Sequence, residues 1–411
     1  MQDKDKKYIT IKNFKKKVEG LTLMALVITI IVLLILAGIV LNLTIGQNGI
    51  FTRAEIASNT WENAKIKEKL GMIVASVEID EVGYEELSQN SLQNELNKYF
   101  DDEETIVRKN QDETFTVFFK KLLKDYIIEK NEIKEGIDWK KAMKNAVAPE
   151  SQNEKRNEGV IGIGTDGKSV NMDLWEYTVL SDNTVGLNDK DSLNDVNKNK
   201  GYLGSFEHGN IMDTIPQYIS IDNGKNYLPV STMVATFCET TELSTMPELP
   251  TTVIDLTNCF IRCKNLVNIY SIPTSVKKSV STFKGCTSVR QATEIPISVK
   301  DISSIFEGCI NLTKGPSLIP NNVEIMTFAF LNCENLQGEI TIEANLNGKI
   351  IIEPYQTDFY RSFFGASLSS NNASLKVYLK GNLYELFTNN RANIINTSLS
   401  NSNIEFIQVA I

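Results

Sequence analysis

The run Phe283-Lys-Gly-Cys-Thr-Ser-Val289, followed by Ile295-Pro-Ile-Ser-Val299, is one copy of a pattern that recurs through the second half of the chain. Phe237, Phe260, Phe283 and Phe306 are 23 residues apart, and Phe330 follows after 24. Three positions beyond each Phe stand Thr240, Cys263, Cys286, Cys309 and Cys333, and six beyond it Leu243, Leu266, Val289, Leu312 and Leu336. Prolines recur at Pro250, Pro273, Pro296 and Pro320, with Val253, Val276, Val299 and Val323 three residues after them. A unit of this length cannot bury its own apolar face. It becomes stable by stacking on copies of itself as one coil of a solenoid, with the repeating Phe, Leu and Val as ladders inside the stack.

The motif Phe-x-Gly-Cys-x-x-Leu with a downstream Ile-Pro-x-Ser-Val resembles the leucine-rich repeats of bacterial surface proteins of the BspA-like type. The fit is best in Phe283–Val299 and covers residues 232–340. The resemblance implies a curved solenoid displayed at the cell surface, with a ligand that differs from member to member. All six cysteines (Cys238, Cys259, Cys263, Cys286, Cys309, Cys333) lie in this region. A cysteine locked to one repeat position reads most simply as a small buried hydrophobe. Disulfides are the alternative for an exported chain. Metal binding has only the single pair Cys259-x-x-x-Cys263 behind it, without a second pair at zinc-site spacing.

Outward from the repeats, the other decisive stretch is Leu21 to Ile45, 25 uncharged and mostly aliphatic residues. That is enough to cross a hydrocarbon core of about 30 Å as a helix. Lys15, Lys16 and Lys17 precede it, which by the positive-inside rule keeps the N-terminus in the cytoplasm and sends the rest outward. The run is too long for the apolar core of a cleaved secretory signal. Lys15-Lys-Lys-Val-Glu-Gly20 followed by Leu21-Thr-Leu-Met-Ala resembles the cleavage and methylation segment of type IV prepilins and pseudopilins over about residues 12–50. That resemblance implies cleavage after Gly20 by a prepilin peptidase, methylation of Leu21, and association with pilus or pseudopilus subunits. Ala25 stands where most pilins carry Glu, which puts filament assembly in doubt and keeps a non-assembling single-pass protein as the alternative. From Thr52 to about Val77 the spacing of Ala54, Ile56, Trp61, Ala64, Ile66, Leu70 and Ile73 predicts an amphipathic helix.

The middle of the chain reads as a small α+β module: a helix over residues 84–100, strands at Thr105–Val107, Thr114–Phe119 and Asp125–Glu129, a hairpin turn at Asn110-Gln-Asp112, and a short helix over Trp139–Val147. Gly162-Ile-Gly-Thr-Asp-Gly167-Lys168-Ser169 fits both the Walker A and G-x-G-x-x-G patterns. A phosphate loop must open a helix, yet Val170, Met172, Leu174 and Tyr177 lie in strand-forming sequence and Asp166-Gly167 signals a hairpin. Asn188-Asp-Lys-Asp191 with Asp195 fails the EF-hand spacing and reads as a polar loop. His208, the one histidine, reads as a surface loop residue and rules out any histidine-rich metal site.

The resulting organisation is a multi-domain α+β chain: a basic leader (1–20), a transmembrane and pilin-like long helix (21–80), the α+β module (81–147), a polar linker (148–159), a β-rich flank (160–231), the solenoid (232–340) and a cap (341–411). Residues 1–20 carry a balance of +4 within a total of −9, so the remainder is near −13. An acidic body lacks the basic footprint of nucleic-acid binding. No nucleophile–base pair or paired carboxylates point to an enzyme, and no cofactor or metal is expected. The function expected is adhesion or binding of a protein or glycan through the solenoid.

Overall fold

The computed structural model describes residues 30, 33, 50–80, 87–100, 104–130, 132–147, 159–188, 201–204, 206–207, 209–211, 214–352, 356–368, 374–395 and 403–409. It divides into two compact units, residues 1–69 and 70–411. Among the described residues no helix is long and apolar enough to cross a membrane. Of Leu21–Ile45 only Ile30 and Leu33 are described, both helical. Gly20, Leu21, Ala25, residues 148–158 of the linker expected over 148–159, the polar loop from Asp189 and His208 lie outside the described residues.

Helix α1 runs from Ile50 to Asp80. Its expected apolar stripe is buried only from Leu70, with Ile73, Val74 and Val77 enclosed. Ile56 and Trp61 are 57% and 66% exposed. Helix α2 (Gln89–Tyr99) starts at Ser88, whose hydroxyl accepts from Ser91 N and so caps the free N–H groups of the first turn. Four antiparallel strands follow, β1 (Thr105–Lys109), β2 (Phe115–Phe119), β3 (Lys124–Glu129) and β4 (Glu132–Asp138), then α3 (Trp139–Asn145). Strand β4 has no counterpart in the sequence expectation. It is a half-exposed edge strand, Glu-Ile-Lys-Glu-Gly-Ile-Asp, whose charged faces mask its period.

A six-stranded sheet comes next, in the order β6-β5-β11-β12-β8-β7: β5 (Ile161–Gly164), β6 (Ser169–Val170), β7 (Thr178–Val179), β8 (Val185–Gly186), β11 (Pro216–Ser220) and β12 (Leu228–Thr232). A separate hairpin pairs β9 (Phe206–Glu207) with β10 (Asn210–Ile211). Strand β12 pairs with β8 in parallel, and Thr232 at its end bridges Asp255 in parallel, so the sheet leads directly into the first coil.

The coils then stack. Phe237, Phe260, Phe283, Phe306 and Phe330 form one column, with neighbouring ring centroids 5.3, 5.5, 5.6 and 5.8 Å apart. The solenoid does not stop at residue 340. Phe363 continues the column at 5.2 Å from Phe330 with the rings 8° from parallel. The intervening coil is 33 residues long and contains β15 (Ile350–Ile352) paired with β16 (Gln356–Thr357), which is why the sequence period breaks there. Strands β13 (Leu318–Ile319), β14 (Gly338–Ile342), β17 (Leu375–Lys380) and β18 (Ile404–Val409) form one parallel sheet across the last coils. Helices α4 (Leu383–Asn389) and α5 (Arg391–Ile394) close the end, with Phe387 against Phe359 and Phe406. A single apolar core runs from Val160 to Phe406, so flank, coils and cap share one interior.

Candidate functional site

The chain around each Phe is a strip of tight turns whose backbone N–H groups alternate between two kinds of acceptor. In the second coil Leu256, Asn258, Phe260 and Arg262 donate to the carbonyls of Lys278, Val280, Thr282 and Lys284 one coil on, at 2.7–3.0 Å. The residues between them, Cys259, Ile261 and Cys263, donate back to Leu256, Asn258 and Phe260. Thr257 N is taken by the Asp255 carboxylate at 2.9 Å, and Ser303 N by Asp301 in the fourth coil. This alternation needs left-handed backbone two residues before and two after each Phe. Ala235, Asn258, Ser281, Ser304, Phe328 and Arg361 adopt it before, and Glu239, Arg262, Gly285, Gly308, Asn332 and Gly365 after. The glycine of Phe-x-Gly-Cys answers that demand, because only glycine takes it without steric cost.

The repeat cysteines complete the strip. Cys263, Cys286, Cys309 and Cys333 donate their S–H to the carbonyls of Phe237, Phe260, Phe283 and Phe306 in the preceding coil, at 3.0–3.1 Å. All six cysteines are buried thiols outside any disulfide. Burial pushes Cys259, Cys286, Cys309 and Cys333 far above the ordinary thiol range. Leu266, Val289, Leu312 and Leu336 are buried beside them. The repeat-locked residues therefore build the scaffold, and among the described residues no group of three His, Cys, Asp or Glu could hold a metal ion.

The glycine-rich stretch at 162–169 is a hairpin. Gly164 N donates to Lys168 O at 2.8 Å, and Gly167 sits at φ +76°. No helix follows Ser169: strand β6 and a single 3₁₀ turn at Met172–Leu174 do. Lys168 is 82% exposed and paired with its neighbour Asp166. A Cβ at Gly162 would collide with Met172 and one at Gly164 with Thr214, so these glycines serve packing.

A row of polar side chains comes from a different repeat position, eight residues after each Phe as far as Lys314 and seven after Phe330 at Gln337. Thr245 bridges Asn268, and Gln291 bridges Lys314, which bridges Gln337, all in parallel. Asn268, Gln291, Lys314 and Gln337 are exposed, as are the adjacent Val267 and Arg290. The row offers one polar side chain per coil on a fixed backbone.

The α+β module is bound to the coils rather than separate from them. The carbonyl before the repeat proline is capped in three successive coils. Arg108 Nη1 donates to Leu249 O at 2.9 Å, Gln89 Nε2 to Ile272 O at 2.8 Å, and Asn90 Nδ2 to Ile295 O at 2.9 Å. Val107 and Thr274 bond each other as well: Val107 N donates to the Thr274 hydroxyl at 2.8 Å and Thr274 N to Val107 O at 3.0 Å. In the fourth coil the carbonyl before Pro320 accepts instead from Glu343 N of the next strand. Behind this seam Arg108 pairs with Glu248, and Asp125 is buried against Trp139 Nε1 at 3.1 Å. Burial pushes the Asp125 carboxyl up to about 7, against the opposing pull of the Trp139 bond and the Arg108 charge. The sequence expectation placed none of these residues in contact with the repeats.

No family model matches the chain, and no curated protein matches it. Among solved structures, the T. pallidum leucine-rich repeat protein TpLRR aligns at 16% identity over 58% of this chain and 99% of that one, with a TM-score of 0.34. A leucine-rich repeat protein from Bacteroides ovatus aligns at 16% identity over 57% of this chain and 70% of that one, with a TM-score of 0.29.

Proposed function

We propose that this chain is a membrane-anchored, surface-displayed repeat protein that binds a protein or glycan partner through its solenoid. The row at Thr245, Asn268, Gln291, Lys314 and Gln337 carries the reading. Solenoids bind by repeating one side-chain position along a rigid surface, and here that position is polar throughout and exposed from Asn268 to Gln337. The buried Phe and Cys columns supply the rigidity. The anchor rests on the sequence: Lys15–Lys17, the apolar run Leu21–Ile45 and the Gly20–Leu21 junction support pilin-like processing by a prepilin peptidase. Ala25 supports the second reading, an anchored protein that never assembles into filaments. The Lys168 hairpin lacks the helix that a phosphate loop requires, so nothing at residues 162–169 supports nucleotide hydrolysis.

Two measurements test this. The mass and N-terminus of the protein from native membranes should show a chain starting at Leu21, and retention of Lys15–Gly20 would leave only the anchor. Adherence to a panel of immobilised matrix proteins and glycans should be lost in N268A/Q291A/K314A with the melting temperature unchanged. Unchanged adherence in that variant would sink the row as the binding surface.

A further inference from the structure

A cleft of about 790 Å³ opens between the sheet of β1–β4 with α3 and the hairpin of β11 and β12. That volume lies in the range of roughly 300–1,000 Å³ typical of small-ligand sites. Leu123, Met143, Pro229 and Ile254 make its apolar lining, and Ile254 is 39% exposed. Lys120, Lys140, Lys144 and Lys225 line it, and no acidic residue does. Lys140 and Lys144 are four apart on α3 and share one face of it. Lys140, Lys144 and Lys225 make no ion pair with another described residue.

The hairpin that presents Lys225 is a built element. Asp222 accepts from Ser220 Oγ at 2.7 Å, Asn226 N at 2.9 Å and Asn226 Nδ2 at 2.6 Å, while Asn223 and Gly224 take left-handed backbone. The Asp222 carboxylate is thus engaged inside the turn. Tyr227 also lines the cleft, and its buried hydroxyl has no hydrogen-bond partner among the described residues. A buried donor without a partner is a cost that native structures avoid unless something else supplies one. Lys140, Lys144 and Lys225, three like charges beside an apolar floor in a chain of net charge −9, repel one another and gain from an anion between them.

We propose that this cleft binds a small amphiphilic organic anion, with an apolar ring or short acyl body on Leu123, Met143, Pro229 and Ile254 and a carboxylate, sulfate or phosphate group among the lysines. The site is distinct from the polar row, and neither depends on the other. Its test is calorimetric titration of the full chain in detergent with 2-naphthoate, its neutral isostere 2-naphthamide, and inorganic phosphate. Naphthoate should bind saturably, one per chain, and the amide and phosphate more weakly. K140Q/K144Q/K225Q should weaken naphthoate by about tenfold or more, as several partly exposed charge contacts of a few-fold each compound, and leave the amide unchanged. If the triple variant misfolds, K225E alone should weaken naphthoate several-fold. Absence of saturable naphthoate binding, indifference to the lysine changes, or equal affinity for the amide or for phosphate would each overturn the proposal.

Discussion

Asn90 holds the third coil as a neighbouring strand would. Its Nδ2 donates to Ile295 O at 2.9 Å and its Oδ1 accepts from Ile297 N at 3.1 Å, so one side-chain amide serves both backbone groups that flank Pro296. Proline breaks any ladder at that edge because it has no N–H to give, and the module supplies the missing partners from outside.

Asn90→Ala should therefore leave a backbone donor and a backbone acceptor unpaired. The expected loss is about 1–3 kcal/mol in chemical denaturation. Limited proteolysis should show residues 87–147 becoming susceptible before the coils do. Simultaneous loss of both regions would mean that the seam is not a separate joint.

Phe283 sits mid-column between Phe260 and Phe306 and is fully buried. Phe283→Ala should cost about 3–5 kcal/mol, the usual range for a large core truncation. Gly308→Ala tests the other half of the motif. Gly308 has φ +72°, and a Cβ there would meet only the backbone of Gly285, Cα at 3.8 Å and N at 3.9 Å. Space is available, so the cost of about 1–2 kcal/mol is that of left-handed backbone alone. A neutral Gly308→Ala would show that the strip tolerates another turn geometry.

The thiols set a limit at alkaline pH. In the folded chain burial holds Cys259, Cys286, Cys309 and Cys333 protonated far above the ordinary thiol value. The unfolded chain releases those protons at about pH 8.5. Stability is thus complete below that pH and falls as pH rises beyond it, by up to about 1.4 kcal/mol per pH unit for each thiol. Urea midpoints at pH 7, 8.5 and 9.5 will show the fall, and a thiol reagent at pH 7.5 should label these cysteines only after denaturation.

Asp125 produces an effect with the same sign at lower pH. Its folded carboxyl titrates at about 7, while an unfolded aspartate titrates at about 3.9. The native state binds the proton more tightly across that window. Its contribution is full below about pH 4 and is lost as pH rises toward 7, at up to about 1.4 kcal/mol per pH unit. Asp125→Asn keeps an oxygen for Trp139 Nε1 and should flatten the stability profile between pH 4 and 7. An unchanged slope would remove Asp125 as its source.

How much of this was legible in the sequence follows from what repeats. The Phe, Cys and Leu columns appear as a period because each rung needs the same side chain at the same turn. The polar row shares that period but not its composition, since Asn268, Gln291 and Lys314 face water and are under no common packing demand. Phe363 escaped because its coil takes 33 residues where its predecessors take 23 or 24. Strand β4 escaped because its exposed faces are charged. The seam could not be read at all: Asn90 and Ile295 are 205 residues apart, and nothing local to either announces the other.

The capped carbonyls at Leu249, Ile272 and Ile295 also have a mechanical meaning. A stack of coils is a spring, and its stiffness is that of the weakest link between turns. Over the first three coils the module lies alongside the stack as a brace, so tension along the axis is shared between the turn ladder and an independent set of bonds. Beyond Pro296 the ladder carries the load unaided by the brace. Pulled from its ends, this solenoid should lengthen first in its distal half while the proximal coils keep their spacing.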